Sequence, residues 1–205
     1  MNIRRLKEAE AAFLDHFPLG FDDPGMETIR KRHNVDKLTE FAKVNVSELT
    51  LAQPESFSDT LLKIIGRSSM VSRFEKAPFR DFIGALPTKD KSRLADSFRK
   101  RLFGRKKRQG FDEIVEFLAR YKLARWSLVS AVPFYFAPKK EAFVKPTTAK
   151  KIVSQLEIDG LTYYPRPDWA FYDGYRKMIL DIKTHLDPSL TGNNAAITGL
   201  LMFSL

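Results

Sequence analysis

The chain has 205 residues, with 35 Lys and Arg against 25 Asp and Glu, a formal net charge of +10, and 43% hydrophobic residues. Seventeen phenylalanines exclude a chain that is disordered throughout. With no cysteine there is no disulfide framework, no cysteine zinc site and no thiol catalysis.

Read in order, the chain is dominated by helical spacing. Leu6, Ala9, Phe13 and Phe17 recur at three- and four-residue steps and predict a first amphipathic helix. Glu8, Glu10 and Asp15 interrupt this basic N-terminus where a signal peptide would need an apolar run. Pro18 to Gly25 is a turn-rich break. Leu38, Phe41, Ala42 and Val44 suit a second or third helix. Ser56 or Ser58 is expected to cap a helix carrying Leu61, Leu62, Ile64 and Ile65, ended by Gly66. From Met70 to Leu86, Val71, Phe74, Phe79, Phe82 and Ile83 keep helical spacing, and Pro78 should kink or split the helix.

Pro87-Thr88 opens the next helix, with Phe98 and Leu102 inward and Gly104 at its end, before the basic turn Arg105 to Gly110. Phe111, Ile114, Val115, Leu118 and Tyr121 mark another amphipathic helix. Trp126 to Phe136 reads as a buried, proline-interrupted segment. It is too short to cross a membrane, which takes about twenty residues. Pro146 to Thr148 starts a helix with Ile152, Val153 and Leu156. Tyr172, Tyr175, Ile179, Ile182 and Leu186 form a helical stripe, and Asn193 or Asn194 caps a final helix. The expectation is an all-α single domain over residues 1–205, with about eight to ten helices and little or no sheet. The turn at 104–110 is a candidate for a soft subdomain boundary. A soluble, cytoplasmic protein with no membrane contact is expected.

Charge is concentrated. The stretch Lys89 to Arg108 carries +8 and Lys139 to Lys151 carries +4, which leaves the rest of the chain at −2. The first stretch supplies Arg99, Lys100, Arg101, Arg105, Lys106, Lys107 and Arg108, with Arg99 to Arg101 expected to face outward. The second supplies Lys139, Lys140, Lys145, Lys150 and Lys151 around a helix start. Clustered cations of this kind neutralise several phosphates and give salt-dependent, sequence-tolerant binding of nucleic acid or another polyanion. A solvated helix end, its cations favoured by the helix dipole, explains Arg99 to Arg101 equally well. No element that reads base edges is visible.

Weaker signals stand beside this one. Arg73 and Arg80 in SRFEKAPFRD would be anion ligands if they converged in a cleft. The histidines His16, His33 and His185 share no ligand spacing, and no metal or cofactor is expected from the residues. Arg166-Pro167-Asp168, twelve residues, then Asp181-Ile182-Lys183 resembles the PD-(D/E)xK nuclease motif. That resemblance implies Asp168 and Asp181 as ligands of a divalent cation such as Mg²⁺ and Lys183 as the residue that orients water. MILDIKT alternates as a strand would, although the stripe from Tyr172 to Leu186 fits a helix.

Four stretches together resemble a family of uncharacterised bacterial proteins: Phe17 to Pro24, Ser72 to Asp81, Trp126 to Thr147 and Pro165 to Tyr175. That likeness implies no catalytic residues. In similar sequences Asn often stands at the position of Asp168, and Asn is a poor metal-binding substitute for a carboxylate. The leading expectation is a non-enzymatic protein that binds nucleic acid or another polyanion. The alternatives are a protein-interaction module using Phe134 to Phe136 or the apolar C-terminus, and a metal-dependent nuclease. The oligomeric state is not legible.

Overall fold

The apolar spacing along the chain is realised almost everywhere as helix. The computed structural model describes residues 1–204 and contains twelve α-helices and three short 3₁₀ turns, with no strand among the described residues. Asn2 accepts the amide of Arg5 and opens α1 (Ile3–His16), which buries Leu6, Ala9 and Phe13. The proline- and glycine-rich break forms 3₁₀ turns at Gly20–Asp22 and Pro24–Met26. Then come α2 (Glu27–His33), α3 (Val35–Asn45) and α4 (Glu48–Leu51). Two helices exceed the expected number because α2 and α4 are too short to display a repeat. Val44, expected inward, is 73% exposed at the end of α3.

The next helix, α5 (Pro54–Arg67), starts earlier than expected. Pro54 occupies its first position, where no amide proton is needed, so neither Ser56 nor Ser58 is the cap. Ser58 lies inside the helix and donates its hydroxyl back to the Pro54 carbonyl. Gly66 also lies inside, one residue before the end. In α6 (Arg73–Ala85) a capping box joins Ser72 and Glu75, and the helix runs through Pro78 unbroken. The carbonyl of Phe74, four residues earlier, loses its helical donor there. Phe74 is itself 76% exposed rather than inward, so water can serve that carbonyl.

Helices α7 (Thr88–Leu102) and α8 (Lys107–Ala119) fold back on each other across a four-residue turn. Their backbones nearly touch. A Cβ placed on Gly110 would lie 2.4 Å from the Arg101 amide nitrogen and 2.7 Å from the Ser97 carbonyl oxygen. Glycine is therefore required for this crossing. Tyr121, assigned to α8 by its spacing, lies beyond the helix end and is exposed.

α9 (Trp126–Phe136) is buried from Trp126 to Tyr135 and is surrounded by α3, α5 and α8. A helix apolar on all sides is a core helix. Ser130 donates to the Trp126 carbonyl and accepts the amide of Val144, which fixes the buried strap Ala142–Val144 along α9. α10 (Pro146–Gln155) and α11 (Trp169–His185) follow, with Tyr172, Tyr175, Ile179 and Ile182 buried. After a 3₁₀ turn at Pro188–Leu190 comes α12 (Asn194–Ser204). Asn193 accepts the amide of Ala196 and so acts as its cap. One apolar cluster takes residues from every α-helix except α2. No helix among the described residues is long and apolar enough to cross a membrane.

Candidate functional site

The basic segment divides into paired and unpaired cations. Arg99 is bound by Asp96 one turn earlier. Lys100 reaches across to α8 and meets both carboxylate oxygens of Glu113, at 2.7 and 2.9 Å. Burial pushes Glu113 up, but Lys100 and Gln109 outweigh it and hold its carboxyl below the ordinary value. Arg108 lies 3.6 Å from Asp112.

Arg101 does not face outward. It is 1% exposed and forms a two-pronged ion pair with Glu141, at 2.7 and 3.1 Å. Its guanidinium lies over the rings of Trp169 and Tyr172, at 5.4 and 5.1 Å. The Tyr172 hydroxyl donates to the same carboxylate at 2.9 Å. Burial opposes the charge of Arg101, yet the Glu141 carboxylate overrides it and holds the guanidinium above its ordinary value. Burial and then the Glu141 charge push Tyr172 strongly up, so it stays protonated and remains a donor. The charge of Arg101 is thus consumed inside the fold and is not available to a polyanion.

Arg105, Lys106 and Lys107 are exposed and have no carboxylate within 4.0 Å among the described residues. Four of the six residues of the expected turn are helix, since Lys107 to Gly110 form the first turn of α8. That turn carries no acid, and Lys106 at the N-cap provides no side-chain cap. Cations at the positive end of a helix dipole cost about 0.3–1 kcal/mol each instead of stabilising.

The second basic segment also divides. Lys139 and Lys140 sit in the turn after α9, exposed and without a carboxylate partner among the described residues. Two contacts bring this turn to the α7–α8 turn: the Arg101–Glu141 pair, and the rings of Phe103 and Phe136 at 5.3 Å. Arg176 of α11 joins them by donating to the Lys140 carbonyl, and it shares Asp173 with Lys177. Lys150 lies elsewhere. Its ammonium sits over Tyr163, which packs on Trp126 at the opposite end of α9, about 15 Å away at 1.5 Å per residue. Lys151 follows it on α10. Lys145 lies toward His33, whose pKa burial lowers, assisted by Arg32 and Lys145.

The other candidates are dispersed. Arg73 lies across the Phe74 ring and Arg80 is held by Asp81, both on the open face of α6 rather than in a cleft. The strand that the nuclease motif needs at 178–183 is helix. Asp168 caps the start of α11 by accepting the Phe171 amide, and Asp181 lies near its end. Twelve residues of helix lie between them and set them about 20 Å apart, so they cannot share a metal ion with each other or with Lys183 as its neighbour. Phe134 and Tyr135 are core, and Phe136 is half-buried on Phe103. At the C-terminus Leu200 and Leu201 are buried, while Phe203 packs on Phe13 and Phe17.

No family model, curated protein or solved structure matches this chain. The residues missed from sequence are Glu141, Tyr172 and Arg176. A signal for Arg101 did exist: Leu94, Phe98 and Arg101 step by four and three, which places the arginine on the buried stripe.

Proposed function

We propose that this chain is a non-enzymatic binding protein that contacts nucleic acid, or another polyanion, through Arg105, Lys106, Lys107, Lys139 and Lys140. The observation that carries the reading is the pairing of two turns from separate parts of the chain. Each presents exposed cations without carboxylate partners, and a buried ion pair joins them. Lys107 supports it further, because its charge lies where the helix dipole opposes it and an anion would relieve it. Lys145, Lys150 and Lys151 fall outside the proposed face, and Arg101 serves as its strut.

Retardation of labelled DNA and RNA at low salt tests the reading. Five phosphate contacts predict a loss of affinity of roughly a hundredfold or more between about 50 and 200 mM salt. Replacing Arg105, Lys106 and Lys107 together by Glu should abolish the retardation, whereas Arg73→Glu with Arg80→Glu should leave it intact. Absence of binding at low salt, or indifference to the triple substitution, would refute the assignment.

A further inference from the structure

An aromatic side chain stands between the two basic turns. Phe103 caps the C-terminus of α7 and precedes Gly104, Arg105 and Lys106. Its ring meets Phe136 edge-to-face at 5.3 Å, and Phe136 ends the helix that leads into Lys139 and Lys140. The contact fixes the ring in place, yet Phe103 remains 38% exposed. Tyr164 is also exposed, but it lies by Trp126 at the other end of α9, away from the basic turns, and further exposed aromatics are differently committed. Phe74 lies under Arg73, Tyr121 packs on Phe82 at 4.7 Å, and Phe203 packs on Phe13 and Phe17.

A fixed, partly exposed ring among unpaired cations suits one class of polyanion best. Phosphates engage the cations, and the ring offers a surface to a base whose face is free. In a duplex both faces of every internal base are covered by stacking, so a duplex can use the cations alone. We propose that this face binds single-stranded nucleic acid in preference to duplex, with an unpaired base stacked on Phe103. The inference rests on the reading of the two turns as a polyanion interface.

Fluorescence anisotropy with the full chain distinguishes the two claims. The probes are a labelled single strand of about 16 nucleotides, as DNA and as RNA, and the duplex of the same sequence at one low salt concentration. The single strand should bind about tenfold more tightly than the duplex. Phe103→Leu keeps an apolar contact with Phe136 and should remove that preference, lowering single-strand affinity about tenfold and leaving duplex affinity unchanged. Phe103→Trp should retain the preference, and its added emission should be quenched by the single strand. Duplex binding at least as tight as single-strand binding, or no effect of Phe103→Leu, overturns the stacking proposal while salt-dependent binding keeps the interface. Failure of every probe to bind at low salt overturns both.

Discussion

Burying an arginine costs several kcal/mol unless its charge and donors are met, and Arg101 meets most of that demand through a single carboxylate, which takes both terminal nitrogens while the buried Nε has no hydrogen-bond partner. Glu141 also holds the Tyr172 hydroxyl, and its backbone carbonyl accepts from Asn194. Removing one partner leaves the other charge buried. Arg101→Met or Glu141→Leu alone should therefore destabilise the fold by about 3–5 kcal/mol in urea unfolding. The double substitution Arg101→Met with Glu141→Leu should recover most of the loss, since well-packed apolar replacements of buried pairs are often neutral. A double substitution as costly as the sum of the two singles would mean that the pair is not coupled. The difficulty of reading this residue from sequence is physical. Its position belongs to the buried stripe, but its type and its neighbours argue for solvent. What decides the matter is Glu141, forty residues away inside a lysine-rich loop that reads as basic. Tyr172 likewise reads as an apolar stripe member, and its hydroxyl becomes meaningful only beside that carboxylate.

At the scale of elements, the α7–α8 crossing sets the geometry of the basic turn, and Gly110 permits the crossing. Gly110→Ala forces backbone apart and should cost about 1–3 kcal/mol. Gly84, near the end of α6, has nothing within 4 Å of an added Cβ. There the same substitution should stabilise by about 0.4–1 kcal/mol through the unfolded state. Thermal melts of the two variants should thus move in opposite directions. A stabilising Gly110→Ala would show that the helices stand further apart than described. Helices with three or more apolar turns, such as α1 and α11, are legible because their stripe repeats. Element starts are less so. Pro54 and Ser56 are both plausible openings, and the side of the chain that packs decides between them. The first turn of α8 is polar, so no stripe marks Lys107 and Arg108 as helical.

At the scale of the molecule, the net charge of +10 resolves into a body near neutrality and two cationic stretches that pairing then thins. Of the first stretch's last seven cations, Arg99, Lys100, Arg101 and Arg108 have acidic partners. What remains is a small face rather than a basic helix. The strut beneath it also bears on whether residues 104–110 divide the chain. Arg101 precedes that turn and Glu141 follows it, and the apolar cluster draws on both sides. Unfolding of one side should therefore expose apolar surface and a charge on the other. The composition offers a clean test, because both tryptophans, Trp126 and Trp169, lie after the turn. Tryptophan fluorescence reports only on the later part, whereas far-UV circular dichroism reports on helices from α1 onward. The two probes should follow one urea curve with a common midpoint, as a single cooperative unit requires. If helix were lost in a separate step while the tryptophan signal stayed native, the turn would be a real boundary. The two basic turns would then be joined only by the ion pair and the Phe103–Phe136 contact.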